Sequence, residues 1–181
     1  MTDSTYIRPL QLSDALVSYK WRNNPRIWQF TGGKPDKVIT PEMETEWLDA
    51  VLKRPNERRY AICDTPTNKY IGNIYLTDIN GQEAHLHIFI GEIEYWGSGR
   101  AASASNLLAR EAFTKLGLTT ILALVKKDNR SAIALSRVCG YRLVEEFYSE
   151  EYSCQMLRLE YTIDMYHRDI AKKETGQVKT T

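Results

Sequence analysis

The feature that most constrains this chain is a glycine-rich segment, residues 96–102, which reads Trp-Gly-Ser-Gly-Arg-Ala-Ala. It lies between an apolar, strand-like run and a long amphipathic helical pattern. Small residues where a strand meets a helix let the backbone approach a ligand closely, and the first N–H groups of the helix have no partner within it. Because a helix N-terminus carries partial positive charge, the segment predicts a site for an anion, most often a phosphate.

The segment belongs to a strand–helix–strand crossover over residues 84–125, in a chain that otherwise favours hairpins. We predict strands over residues 6–10, 60–63, 70–79, 84–91, 121–125, 142–148 and 154–162, and helices over residues 14–22, 41–54, 100–116 and 131–138. This order predicts an α/β (α+β) fold: a single domain with a mixed, mostly antiparallel sheet of about seven strands flanked by four helices. We expect the domain to cover residues 1–166 and a charged, mobile tail to follow over residues 167–181.

The composition is that of an ordinary globular protein, with 43% hydrophobic and 26% charged residues. A net charge of +1 gives no general attraction to nucleic acid or membrane surfaces. The polar N-terminus does not resemble a signal peptide, and no run approaches the roughly 20 apolar residues that span a bilayer. The three cysteines have neither paired nor metal-binding spacing, which favours a reducing compartment. We therefore expect a cytoplasmic monomer or homodimer that binds neither nucleic acid nor membranes.

The glycine segment by itself allows three interpretations. Residues 97–102 satisfy G-x-G-x-x-A, the dinucleotide-binding pattern, but that pattern expects an acidic residue about 20 positions further on. Here the first acidic residue after the next strand is Asp128, and only one short helix follows, so a doubly wound domain is disfavoured. The second interpretation, a P-loop, is excluded because the lysine of that motif is missing. A glycine-rich connection without a ligand is the third interpretation.

Residues 128–141 distinguish among these interpretations. They resemble the second conserved motif of the GNAT superfamily of acetyl-CoA-dependent N-acetyltransferases, N-x-x-[AS]-I-x-L-x-x-x-x-G-[FY]. The glycine segment is similar to the first motif of that superfamily, [QR]-x-x-G-x-[GA], except that Trp96 stands at its first position. This tryptophan matches the Y-W-G-x-G form of the branch that includes the ribosomal-protein N-terminal acetyltransferases. The resemblance implies the GNAT fold over residues 5–162.

The resemblance also implies how acetyl-CoA binds. The coenzyme A diphosphate would lie on the backbone N–H groups of Gly97, Ser98, Gly99, Arg100, Ala101 and Ala102. The pantetheine arm would pair with the exposed strand end at Ile90 and Gly91. Asn129 would either contact the cofactor or cap the following helix, and Arg100 would contact a phosphate or be solvated. No metal is expected, because His85 and His87 alternate along a strand without a third ligand.

Attack of an amine on a thioester requires a neutral amine, stabilisation of the oxyanion and a proton for the departing thiolate. In many family members a tyrosine supplies that proton, but Ser136 stands at the matching position. Ser136 would donate a hydrogen bond to the thiolate, or it is simply a helix serine that faces its neighbours. Glu92 is the candidate base; the alternative is that Glu92 and Glu94 form a solvated loop pair.

The acceptor is indicated by residues 21–25, Trp-Arg-Asn-Asn-Pro, which resemble an element of relatives that acetylate amino groups of nucleotide-linked sugars. The resemblance implies Trp21 and Asn23 as acceptor-binding residues. Trp28 would line the acceptor cleft or belong to the core of the two N-terminal helices, and the basic residues 53–59 would hold phosphates or be solvated. We therefore predict transfer of an acetyl group from acetyl-CoA to a primary amine of a small molecule or nucleotide-linked amino sugar, by direct attack in a ternary complex. The alternatives are a protein N-terminal acetyltransferase and a coenzyme A-binding module without transferase activity.

Overall fold

The computed structural model of the protein describes residues 4–31 and 35–176. Its strands are β1 (Thr5–Pro9), β2 (Arg58–Asp64), β3 (Tyr70–Thr77), β4 (Glu83–Ile90), β5 (Thr120–Lys126), β6 (Arg142–Ser149) and β7 (Cys154–Thr162). Its α-helices are α1 (Ala15–Arg22), α2 (Pro25–Thr31), α3 (Pro41–Leu52), α4 (Arg100–Thr114), α5 (Arg130–Val138) and α6 (Ile163–Glu174). Hydrogen bonding orders the strands β1-β2-β3-β4-β5-β7-β6, and β4 and β5 run parallel. The predicted α/β class and the mixed, seven-stranded sheet are therefore confirmed.

Two of these helices are absent from the sequence prediction. The predicted helix over residues 14–22 ends before Pro25 as expected, but the same proline is the first residue of α2. Proline is favoured there because the first helical N–H has no intrahelical acceptor. The carbonyl of Asn24 accepts from the N–H groups of Ile27 and Trp28, at 2.9 and 3.1 Å, and so begins the new helix.

The second unpredicted helix, α6, corrects the expectation of a mobile tail from residue 167. The hydroxyl of Thr162 accepts from the N–H of Met165 at 3.4 Å and caps the helix. Lys172 and Lys173 lie in its last turn, where positive charge is favourable. The charged composition that suggested a tail therefore belongs largely to an exposed helix, and residues 177–181 lie outside the described part of the chain.

The chain divides into two compact units, of which the first comprises residues 1–79 and 87–108. Trp21 of α1 lies at the centre of its core and is 4% exposed. The indole packs against Tyr70 and Phe89, with ring centroids 4.7 and 5.9 Å away. It also covers Gly91, where an added Cβ would lie only 2.0 Å from the indole ring. Glycine at position 91 is therefore what allows the tryptophan to reach the end of β4.

The helical layer of the first unit contains a buried carboxylate. Glu44 of α3 is 2% exposed; it accepts a hydrogen bond from the Ser18 hydroxyl at 2.8 Å and pairs with Arg22 at 3.3 Å. Burial disfavours the charged form, so the pKa of Glu44 is raised above its ordinary value despite these two partners. Glu44 thus occupies a buried position where an apolar side chain would avoid the free-energy cost of desolvating a carboxylate.

The second unit comprises residues 80–86 and 109–181. Its central strand β5 pairs in parallel with the start of β4, from Glu83↔Thr120 to His85↔Leu122, and antiparallel with β7, from Thr120↔Thr162 to Lys126↔Met156. An aromatic cluster of Phe113, Tyr141, Tyr161 and Tyr166 packs on this sheet. No helix in the described part of the chain is long and apolar enough to cross a membrane.

We predict that Gly91→Ala destabilises the protein by about 1–3 kcal/mol, because the new methyl group overpacks the Trp21 ring. Urea denaturation measures this loss. In a Trp21→Leu background the same substitution should cost clearly less, since the smaller side chain leaves room for the methyl group. Equal costs in both backgrounds would show that the contact with Trp21 is not the cause.

We predict that the stability of Glu44→Gln relative to the native protein increases with pH. A carboxyl group whose pKa is higher in the folded than in the unfolded state stabilises the fold at low pH. This stabilisation is lost as the pH rises through the folded-state pKa. Glutamine has no charge to bury, so the variant avoids this loss. Thermal unfolding between acidic and neutral pH tests this, with Glu46→Gln, an exposed position on the same helix, as control. A relative stability that falls with pH would contradict the prediction.

Candidate functional site

The glycine segment forms an open loop at the start of α4. Gly97 and Gly99 have φ angles of 70° and 80°, a left-handed backbone that glycine adopts without strain. No atom lies within 4 Å of the position that a Cβ would take at either residue. The N–H of Ser103 donates to the carbonyl of Gly99 at 3.0 Å, so the N–H groups of residues 100–102 precede this first helical bond. A backbone of this kind could hold an anion, and the anion site that the sequence predicts for residues 97–102 remains a prediction.

The loop is anchored on both sides. The indole N–H of Trp96 donates to the carbonyl of Ile90 at 2.8 Å, and the Ser98 hydroxyl donates to the carbonyl of Tyr95. Trp96, the departure from the family motif, therefore ties the loop to the end of β4. In addition, the N–H of Gly91 donates to the carbonyl of Ile71 at 2.8 Å. These bonds occupy the Ile90 carbonyl and the Gly91 N–H, two of the groups expected to pair with pantetheine.

Arg100 has a structural partner that the sequence did not indicate. Its Nε and Nη2 atoms donate to Oδ1 of Asp64, at 3.1 and 2.9 Å, and the Asp64 side chain is 2% exposed. The other oxygen of Asp64 accepts from the N–H and the hydroxyl of Thr67. The hydrogen bonds from Thr67 and the charge of Arg100 lower the pKa of Asp64. Arg100 is therefore not the solvated side chain considered above: it fixes the first turn of α4 to the end of β2.

Glu92, the candidate base, has both carboxylate oxygens engaged. Oε1 accepts from the indole N–H of Trp21 at 2.8 Å, and Oε2 accepts from the ammonium of Lys69. Lys69 also donates to Glu94 at 2.8 Å, and these two carboxylates raise its pKa. The bond from Lys69 in turn lowers the pKa of Glu94. A carboxylate held in this way orients the Trp21 indole, and neither of its oxygens is left without a donor.

In the second unit, Asn129 and Ser136 belong to α5 and its N-terminus. The side-chain oxygen of Asn129 accepts from the N–H of Ala132 at 3.0 Å and caps the helix, the alternative role that the sequence left open. Ser136 is 8% exposed, and its carbonyl accepts from the N–H of Tyr141 at 2.9 Å. Burial of this serine restricts the partners that its hydroxyl can reach.

A cavity of about 500 Å³ lies in the first unit. Among the described residues, its aromatic lining is formed by Trp21, Trp28, Trp47, Tyr75 and Phe89. The charged residues described in the lining are Arg22, Asp36, Lys37, Glu44 and Arg59. A concave site with aromatic walls and a few polar groups is the usual form of a small-molecule site. Two of the three predicted acceptor residues, Trp21 and Trp28, do line this cavity.

The third predicted acceptor residue, Asn23, has a different task. Its amide donates to the carbonyls of Tyr19 and Ile39, at 3.0 and 2.8 Å, and its oxygen accepts from the N–H of Ile39 at 2.8 Å. Both donor hydrogens are thereby used on the backbone, so the side chain ties the end of α1 to the segment before α3. The structure thus gives Asn23 a role in holding the backbone, which the resemblance did not indicate.

The basic residues 53–59 are largely compensated within the segment itself. Glu57 pairs with Arg54 at 2.9 Å and with Arg59 at 2.6 Å, and Arg58 donates to the carbonyls of Pro55 and Glu57. Of the arginines in this segment, Arg59 lines the cavity. If this segment contacts phosphates, one of the two alternatives that the sequence leaves open, Arg59 is therefore the arginine that is placed to do so from the cavity wall.

Sequence reasoning missed Glu44, although the pattern contains a signal. Glu44 shares the spacing i, i+4, i+7 with Leu48 and Val51, both of which are 1% exposed. A carboxylate at a core position of an amphipathic helix is unusual and marks a candidate functional site.

Among the described residues, no group of three or more His, Cys, Asp or Glu side chains is placed to hold a metal ion. His87 stacks on Tyr75 with centroids 4.8 Å apart, and its Nε2 contacts the Thr77 hydroxyl at 3.0 Å.

Residues 5–142 match the acetyltransferase (GNAT) domain family. The chain is 28% identical to the spermidine N(1)-acetyltransferase of Escherichia coli K12 over 150 residues, which cover 81% of this chain and 77% of that protein. The fold is similar to that of the Vibrio cholerae spermidine N-acetyltransferase in complex with CoA and spermine, with a TM-score of 0.78, 23% identity and coverage of 91% of this chain and 98% of that one.

The fold is also similar to that of the aminoglycoside acetyltransferase AAC(6')-Ib in complex with coenzyme A, with a TM-score of 0.77, 16% identity and the same coverage. The family match spans most of the chain and contains the glycine loop and the Asn129 motif that first suggested it. The chain therefore belongs to the GNAT family of acetyltransferases, which transfer the acetyl group of acetyl-CoA to an amine.

Proposed function

We propose that the protein binds the coenzyme A diphosphate on the loop formed by residues 97–102 and acetylates a small-molecule primary amine in the cavity of the first unit. The observation that carries this proposal is the open left-handed loop at the start of α4. Its glycines leave the approach to three N–H groups unobstructed, at the positive end of a helix of 15 residues. Ala101 and Ala102 keep side chains from narrowing this approach.

The end of β4 links the donor loop to the proposed acceptor cavity. Phe89 lines the cavity, and the next residue, Ile90, accepts the hydrogen bond from Trp96 of the loop. Trp21 also lines the cavity and is oriented by Glu92, two residues beyond Ile90. An amine in the cavity would therefore lie beside the strand end that is expected to hold the thioester arm.

The acceptor amine must lose a proton before it attacks, because an alkyl amine with a pKa near 10 is mostly charged at neutral pH. Since both oxygens of Glu92 are engaged, water in the cavity is the proposed first acceptor of this proton. Glu92 then acts as a positioning residue for Trp21. Ser136 remains our proposal for the hydrogen-bond donor to the departing thiolate, in place of the tyrosine that many relatives use.

A polyamine is a second candidate acceptor. It is supported by the 28% identity to a spermidine N(1)-acetyltransferase over 81% of the chain. The small-molecule substrates named for this relative and for the aminoglycoside enzyme favour a small amine over a protein N-terminus. They also favour a transferase over a coenzyme A-binding module without activity.

We predict that Gly99→Glu abolishes acetyl-CoA binding while the protein still folds, because a carboxylate would occupy the proposed phosphate position. Isothermal titration with acetyl-CoA measures binding, and circular dichroism verifies folding. Gly81→Glu is the matched control: Gly81 also has a left-handed backbone, with φ 93°, and open surroundings, but it lies in a hairpin turn. Unchanged affinity in Gly99→Glu, or an equal loss in the control, would refute the placement of the diphosphate.

We predict that Glu92→Gln lowers kcat by less than about tenfold and leaves the shape of the pH–rate profile unchanged. Glutamine can still accept the hydrogen bond from Trp21, so the positioning role survives. Removal of a general base instead costs about 10²–10⁴-fold. A loss of that size, together with a changed pH profile, would restore Glu92 as the base.

A further inference from the structure

One wall of the acceptor cavity is a stack of alternating guanidinium and aromatic groups, here called the guanidinium stack: Arg22, Trp47, Arg59 and Tyr75. The guanidinium carbon of Arg22 lies 4.8 Å from the Trp47 ring, and that of Arg59 lies 5.3 Å from the same ring. Arg59 also lies 4.3 Å from the Tyr75 ring. All four residues line the cavity.

The stack holds two positive charges in fixed positions. Arg59 is held on its faces by the two rings and at its edge by Glu57, which does not line the cavity, and its side chain is 7% exposed. Arg22 contacts Glu44 through one nitrogen at 3.3 Å and is 38% exposed. A guanidinium carries five N–H donors, so Arg22 retains donors for a ligand.

Among the described residues of the lining, cations outnumber carboxylates: three cations, Arg22, Lys37 and Arg59, line the cavity together with two carboxylates, Asp36 and Glu44. Glu44 is already bound to Ser18 and Arg22. Within this described part of the lining, a polyamine would therefore find no unpaired buried carboxylate for its ammonium groups, whereas an anion would find the remaining donors of Arg22.

We propose that the acceptor is a primary amine that also carries an anionic group, a carboxylate or a phosphate, and that the guanidinium stack binds this group. The inference rests on the proposed function, because it assigns the cavity to the acceptor. Planar guanidinium groups bind both kinds of anion through paired hydrogen bonds, and their fixed orientation reduces the entropy lost on binding. The amine end would then lie toward Trp21 and Phe89, at the strand end.

Two matched sets of acceptors test this inference with the purified full-length protein and acetyl-CoA. The first set is γ-aminobutyrate, butylamine and putrescine, which differ in the charge at the end remote from one amine. The second set is phosphoethanolamine and ethanolamine, and spermidine is included as the polyamine. We expect kcat/KM for the anionic member of at least one set to exceed that for its neutral counterpart by about tenfold or more. We also expect putrescine and spermidine to be the poorest acceptors, and the two sets distinguish a carboxylate site from a phosphate site.

Variants test the residues themselves. Arg22→Gln should abolish the preference for the anionic acceptor and shift it toward putrescine, because Glu44 then lacks its cationic partner. The double variant Arg22→Gln/Glu44→Gln keeps the buried charges balanced and should lose the preference without that shift. Arg58→Gln is the matched control, since Arg58 precedes Arg59 on β2 and does not line the cavity. It should retain the native preference.

The outcomes are separable. Turnover of putrescine or spermidine above all other acceptors would overturn the inference and leave the proposed acetyltransferase function intact. Equal turnover of charged and neutral acceptors, or a preference that survives in both Arg22 variants, would likewise overturn the role of the stack. Binding of acetyl-CoA without acetylation of any of these amines would contradict both the inference and the proposed acceptor cavity.

Discussion

The packing of Trp21 on the end of β4 is the interaction on which the proposed site most depends. The indole ring covers Gly91 so closely that an added methyl group would lie 2.0 Å from it, and its N–H donates to Glu92. The same side chain forms a wall of the cavity. One contact therefore sets the position of a helix against the strand end and shapes the cavity wall beside the donor loop.

Charged groups are also buried in the first unit, alongside its apolar core. Asp64 fixes the first turn of α4 through Arg100, and Glu44 lies among the helices with its pKa raised by burial. Such groups cost stability unless they are paired and hydrogen-bonded. The arrangement around Asp64 fixes the first turn of α4 by hydrogen bonds, and such preorganisation reduces the cost of binding a ligand there. Glu44 instead borders the cavity, where a charge can serve recognition.

The regular elements and the glycine loop follow from local patterns. Residues 97–102 could be predicted as an anion site because glycine and alanine at a strand–helix junction leave the first N–H groups of the helix accessible. Local patterns predict less well where one residue has two roles, as Pro25 does when it ends α1 and begins α2. They also fail for the charged residues after position 166, which form a helix that Thr162 caps. The side-chain partners of Asn23 and Arg100 depend on Ile39 and Asp64, which are distant in the sequence.

The sequence alone determined the family and the donor, because these depend on short motifs whose backbone requirements are local. It also predicted residues 97–102 as the loop that binds the donor. The contact of the region around Trp21 with the acceptor is likewise a prediction of the sequence. Only the tertiary structure decided which side chains form the cavity, since Arg22, Trp47, Arg59 and Tyr75 come from two helices and two strands. It also decided that Glu92 is already occupied by Trp21 and Lys69. The charge that an acceptor meets is a sum over side chains brought together by folding, so no local pattern encodes it.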